Sequence, residues 1–494
     1  MIKINTKKFA LAFAVAITIT TSCKKDFQQI NTNPNGVVAA LPENLLQPAL
    51  YEVVTRGNNR AHRLTHELMQ VHVTLSDGDD LQRYLIRPSE SDYIWTNWYL
   101  QLKNFRDMYS RAVSVNQTQY QGIALICDVW VSSMITDAFG DVPYFDASKG
   151  QEGVLQPKFD KQQDIYLDMF KKLEQANTLL AATTSATVTV DQLPLDPLFG
   201  TNSGATVANS TGLWRKFGNS LYLRLLMRAS AKAEANAAVK MQEIVSDATK
   251  YPIMTSNAES AIVKYTGSTV PLINPFYNVR DFDFTTGNSL TEFFINTLNN
   301  WNDPRRAKWA TQVAGGTYVG VPSGFPRGQV PEKQSAYPTT LKVEPLVGNI
   351  MNYAELQFIL AEAALKGYIT GDPATYYNNG VNNAVTMWGY TVPTGYLTNP
   401  ALAWNPAGTA DAKLEQIMIQ KYYTFFFTDL QSWFEFRRTG HPVLPKGSGL
   451  QNGGLMPSRL YYPVYVQSLN PANYTAAVAQ QGADNLNTKV WWNK

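Results

Sequence analysis

The sequence predicts a mostly α-helical protein, and three observations carry that prediction. Apolar residues recur with helical periodicity in one stretch after another, strand-like alternation is weak and scattered, and the intervening tracts are long and rich in Gly, Pro, Asn, Ser and aromatics. The chain has 494 residues, 45% of them hydrophobic, enough for a large core that needs no metal or disulfide staple. Charged residues make up only 16%, below the roughly 25% of average globular chains, so uncharged polar and aromatic residues, including 26 Tyr and 11 Trp, take their place.

Lys3, Lys7 and Lys8 form a positive leader, and residues 9–19 supply an apolar run of signal-peptide length, too short to span a bilayer. Thr20, Thr21 and Ser22 then precede Cys23, which closes the segment. Without the three leader lysines the remainder carries 39 basic and 39 acidic residues, a balance that argues against a nucleic-acid binder, whose affinity depends on a basic excess. Residues 24–42 read as a tether with turn chemistry at Asn31–Gly36. No later segment is expected to be long and apolar enough to cross a membrane. Cys127, the other cysteine, lies in an apolar helix and reads as a small core residue.

Further along, Trp95, Trp98, Leu102, Phe105, Tyr109 and Ala112 keep the spacing of one helix face. Residues 123–139 are apolar almost all round, the pattern of a helix buried on most sides. Amphipathic stretches follow over residues 165–180, 214–231, 351–364, 373–388 and 414–436, and the best strand signals are residues 186–190 and 461–466. Residues 183–212 and 265–348 read as long functional loops, and residues 361–384 resemble a tetratricopeptide helix pair, although no 34-residue period recurs.

Six blocks then combine into a resemblance. Thr20–Cys23 resembles the lipobox of bacterial lipoproteins, departing from it at Thr20. With DFQQINTNPNGV (26–37), DVWVSSMITDAFGDVPYFDA (128–147), LWRKFGNSLYLRLLMRAS (213–230), MNYAELQFILAEAALKGY (351–368) and QKYYTFFFTDLQSWFEFRRTGHP (420–442), it is similar to the SusD/RagB family of nutrient-binding lipoproteins, in its SusD-like branch. The resemblance implies a single helical fold with tetratricopeptide-like helix pairs as scaffold, long aromatic and polar loops, and few short strands. It implies a signal peptide at 1–22, a lipidated Cys23 and tether over 23–42, and one nutrient-binding domain over 43–494. It also implies an outer-membrane, surface-exposed, non-enzymatic protein that passes an oligosaccharide, or in some members a peptide, to a SusC-like TonB-dependent transporter. No cofactor follows from it.

Within these blocks, Arg224 and Arg228 sit one turn apart and could hold loop carboxylates bidentately or face solvent, a structural role being expected. Asp137, Asp141 and Asp146 are expected to order the turn at Gly140 and Pro143, and Arg437 and Arg438 to suit a helix C-terminus.

Catalytic and metal motifs find little support. His62, His66, Glu67 and His72 cluster, yet in neither zinc-peptidase order, and no metal is expected there. The glycines at 447, 449, 453 and 454 lack the spacing of a phosphate cradle. Asp77, Asp79 and Asp80, with Asp281 and Asp283, are the acidic clusters in expected loops; a glycosidase pair could use them, and a calcium ion the Asp77–Asp80 loop, but the calcium-loop ligand ladder is missing there.

Sugar binding has better material. A sugar offers apolar C–H faces and a rim of hydroxyls, so its site needs flat aromatic rings beside amides, carboxylates or guanidinium groups. Two segments, 77–99 and 299–318, supply both. They nominate Trp301, Trp309, Trp95 and Tyr318 as stacking rings and Asp79, Asn302 and Arg305 as polar partners, with Trp301 expected in an open loop and Trp98 in the core.

Overall fold

Helix α1, Pro42–Arg60, continues through a π-helical turn, Ala61–Thr65, into the α-helical turn His66–Leu68. It packs on α2 (Glu90–Ser114), which leads to α3 (Thr118–Phe139) and α4 (Gln162–Ala181), each lying against the one before. The structure, a computed structural model, describes residues 40–182, 196–200 and 207–494. The expected leader, Cys23 and the strand at 186–190 lie outside the described residues. α5 (Val207–Arg228) packs on α4, and the short α6 (Ala237–Ser246) packs on α5.

α3 is buried along nearly its whole length because it is apolar on every face. It is long and apolar enough to cross a membrane, which corrects the expectation that no segment after Cys23 passes that test; its apolar window lies entirely inside the protein. Cys127 is fully buried within it, as expected of a small core residue.

The second half adds α7 (Glu292–Trp301), α8 (Arg306–Trp309), the antiparallel-type hairpin pair α9 (Tyr353–Leu365) and α10 (Pro373–Thr386), then α11 (Ala410–Thr424) against α9. Asp372 caps α10 by accepting from the Ala374 and Thr375 N–H groups, with Pro373 in the first turn. The pair is close: a Cβ on Gly380 would stand 2.5 Å from the Phe358 ring. Chain ends follow as α12 (Gln431–Thr439), α13 (Val464–Leu469) and α14 (Pro471–Gln481).

Three element expectations are corrected. The helix read over 414–436 is two helices, because Phe427 (φ 61°) and Asp429 (φ 26°) break the chain between α11 and α12 while their neighbours stay apolar and buried. Residues 461–466 are not a strand; Pro463 starts helix α13 there. The loop tracts contain helical residues, with 207–212 inside α5 and 292–301 forming α7.

Strands are few among the described residues: β1 (His72–Thr74) pairs antiparallel with β3 (Asn288–Leu290), and β2 (Ala261–Ile262) pairs with β4 (Asn349–Met351).

Buried ion pairs bind the helices to one another. Arg224 takes both oxygens of Glu355 at 2.6 Å, and Arg228 bridges Asp137 at 2.7 Å and Glu435 at 2.9 Å. Arg437 lies 4.0 Å over the Trp433 ring and donates to the Asp137 carbonyl, while Arg438 pairs with Glu362 and Glu435. The two arginines at the end of α12 therefore point into the protein. Leaving one partner of such a buried pair alone costs on the order of 3 to 5 kcal/mol.

Candidate functional site

A cleft of about 530 Å³ opens where the π-helical turn meets two loops. The β1–β3 ladder creates it. Thr74 pairs with Asn288, and the Leu75 N–H continues the ladder to the Gly287 carbonyl at 2.8 Å, so loop 75–80 and loop 276–288 stand face to face. The wider π-helical turn presents consecutive His62 and Arg63 to the same opening.

The floor is aromatic and uncharged. His62 stacks on Phe284 with ring centres 5.4 Å apart and planes 13° apart, and lies 4.8 Å from His72. His66 Nε2 accepts from the Phe427 N–H at 3.2 Å, so its proton sits on Nδ1 and is donated to the Tyr337 hydroxyl at 2.8 Å. That hydroxyl then donates to His72 Nδ1, also at 2.8 Å, which leaves the His72 proton on Nε2, 3.9 Å from a Glu67 oxygen. Burial pulls His62 down to about 4, helped by the Arg63 charge, and holds His66 and His72 well below the usual histidine range. Burial, with the Asp79 carboxylate adding to it, pushes Glu67 up to about 8.

The walls are polar. Arg63 reaches Asp79 at 2.6 Å, Glu67 at 3.3 Å and Glu90 at 3.3 Å; Thr74 donates to Glu67 at 2.7 Å. Asn59, Ser76 and Asn288 add further amide and hydroxyl groups. At the rim the Phe282 ring is 63% exposed, and its neighbour Asp283 pairs with Arg280 at 2.7 Å. An exposed flat ring beside carboxylate, guanidinium and amide groups is the surface a sugar requires.

No group of three or more potential ligands could hold a metal among the described residues. The His66 nitrogens and His72 Nδ1 serve Tyr337 and the backbone instead. Asp77 and Asp80 likewise accept from Arg83, Arg327 and the Gly328 N–H.

Of the residues nominated from sequence, Asp79 lines this cleft and the others do not. Trp301 is corrected from an open-loop ring to a core ring: 3% exposed, it donates from Nε1 to the Ala401 carbonyl at 3.0 Å and meets Tyr423 edge-on. The reason is α7, which Thr291 caps and which ends at Asn302 (φ 54°), so Trp301 falls on the same buried face as Phe294 and Leu298. Trp309 is wholly buried against Phe426 and Trp388. Arg305, also buried, pairs with Asp303 at 2.6 Å and lies over the Trp309 ring. Asn302 is exposed at the helix end, and Tyr318 is half-buried beneath Arg306. Trp95 is 7% exposed against Phe139 and borders a separate apolar cleft of about 240 Å³ with Tyr99, Leu155 and Tyr465. Trp98 is fully buried, as expected.

Sequence reasoning did not nominate Asn59, His62, Asn288 and Phe282 as binding residues. A signal for Phe282 existed, since it is the aromatic residue between Asp281 and Asp283.

Residues 34–463 match the family model described as "Starch-binding associating with outer membrane", SusD-like. The chain belongs to the SusD-like family. Its members are nutrient-binding proteins of the outer membrane that catalyse no reaction. No curated protein matches the sequence. Among solved structures, a SusD homolog from Bacteroides fragilis is 25% identical, with TM-score 0.74, covering 92% of this chain and 99% of that one. A chitin-binding protein is 26% identical, with TM-score 0.74 and coverage of 91% and 99%. A chitin-binding SusD homolog from Flavobacterium johnsoniae is 20% identical, with TM-score 0.78 and coverage of 92% and 98%, and shares the fold. The SusD-like scaffold thus accounts for the paired helices α9 and α10, and the cleft lies apart from them, on the loops joined by β1 and β3.

Proposed function

We propose that this protein captures an oligosaccharide in the cleft between loops 75–80 and 276–288 and delivers it to a SusC-like TonB-dependent transporter. The observation that carries the reading is the exposed Phe282 ring set beside Asp79, Arg63 and Asn288 over an uncharged floor. The ring offers a face to sugar C–H groups, and the wall offers both donors and acceptors to hydroxyls. A neutral floor imposes no charge on the ligand. The chitin named for two of the similar structures makes a glycan the first class to test.

In this reading residues 1–22 are a signal peptide, Cys23 carries the lipid anchor, residues 23–42 are the tether, and residues 43–494 are the capture domain at the cell surface. A protein of this kind offers no path for a hydrophilic ligand through a bilayer, so import requires a separate pore. The test is calorimetry against a panel of chitin and starch oligosaccharides and tryptic peptides, with pull-down from solubilised outer membrane. Glycan heat and recovery of a large barrel protein support the proposal; peptide heat alone replaces the sugar, and no barrel removes the transporter.

A further inference from the structure

A second cavity, of about 540 Å³, lies between α2, α3, α4 and residues 144–152, and shares no lining residue with the cleft. Its size falls within the roughly 300 to 1,000 Å³ range of small-molecule sites. Helices form most of its wall, so its shape is held by the core rather than by loops.

The charges facing the cavity balance, with four basic and four acidic side chains among its lining. Four of the eight are already spent on one another. Asp128 accepts from Arg106 at 3.0 Å and Lys172 at 3.1 Å, and Asp168 accepts from the Tyr144 hydroxyl at 2.7 Å. Hydrogen-bonding capacity is nevertheless left over in both senses. Arg106 uses Nε on Asp128 and Nη1 on the carbonyls of Tyr144 and Ala147, so its Nη2 has no partner among the described residues. Exposed Lys171 and Glu152 have no side-chain partner among the described residues. At the rim, the Phe145 ring is 46% exposed.

Balanced charge gives neither an anion nor a cation a net attraction. Spare donors, a spare acceptor and an open ring suit a neutral ligand that both donates and accepts hydrogen bonds and has an apolar face. We propose that this cavity is a second glycan-binding site, taking a neutral, polyhydroxylated segment. The inference rests on the sugar reading of the cleft, since it assigns the same ligand class to both places.

The test is calorimetry of the purified full chain in mild detergent, with maltoheptaose and with chitohexaose as separate probes. The wild type should show two classes of site with at least one probe. Phe145→Ala, and independently Ser110→Trp, which plugs the cavity from an exposed position on α2, should weaken one class about tenfold or more and spare the other. Phe282→Ala should do the reverse. Phe145→Ala removes an exposed ring and should leave the melting temperature unchanged, so it carries the test if Ser110→Trp perturbs the fold. A single class abolished by Phe282→Ala and untouched by both cavity variants overturns the second site while the cleft reading stands. No heat with either probe overturns both.

Discussion

Arg63 Nη1 stands 2.6 Å from Asp79 Oδ2 and so fastens the π-helical turn to the acidic loop across the wall of the cleft. The same guanidinium also reaches Glu67 and Glu90, which ties the wall to the start of α2. Replacing Arg63 by Ala should therefore loosen loop 75–80 and weaken glycan binding about tenfold, a loss of about 1.4 kcal/mol. Hydrogen exchange of residues 75–80, measured beside calorimetry, checks the cause: unchanged exchange and unchanged affinity would refute it.

Phe282→Ala should lower glycan affinity by about 1 to 3 kcal/mol, one to two decades, through loss of a stacked ring. Because the ring is largely exposed, the melting temperature should hold. Calorimetry with parallel melts distinguishes this from a folding defect.

Trp301→Ala and Trp309→Ala should behave in the opposite way. Both rings are buried, and truncating a buried Trp costs about 3 to 5 kcal/mol of stability. Denaturant unfolding should register that loss, while the variants that still fold keep wild-type affinity.

Glu67 and His62 make stability depend on pH in opposite senses, and the two effects offset one another between about 4.5 and 6.5. Glu67, raised to about 8, keeps its proton in the folded protein while the unfolded chain releases it from about 4.5 upward, so stability drops as pH rises between those values. Glu67→Gln should flatten that limb by roughly a few degrees of melting temperature. His62, lowered to about 4, stays neutral in the fold while the unfolded chain takes up a proton below about 6.5. Stability is accordingly lost as pH falls from 6.5 through 4, and His62→Gln should reduce that loss. Melting curves across the range test both limbs.

Cys23→Ala should abolish metabolic palmitate labelling and release the protein from membranes. Membrane retention equal to wild type would count against the anchor.

The helical scaffold was legible because periodicity records burial directly: α3, apolar all round, is buried, and the Arg224 and Arg228 pair holds carboxylates inside. What misled was composition standing in for geometry. The asparagines around Trp301 look like a loop, yet a Thr cap and a left-handed Asn make them the end of a helix, and the ring turns inward. The break at Phe427 and Asp429 left no mark, since residues with positive φ there are neither Gly nor Asn. Asp79 was found because its charge placed it in a turn, whereas His62 and Asn288 meet only through β1–β3 pairing between distant parts of the chain.

The cleft's base and its border belong to different parts of the protein. Phe284, Tyr337 and Phe427 under the histidines are core residues, while Phe282, Arg280 and Asp283 project into solvent and support nothing beneath them. Preference and foldedness are thereby uncoupled: libraries randomised at 280, 282 and 283 should yield mostly folded proteins with altered ligand choice, whereas randomising 276, 284 and 337 should yield few that fold at all.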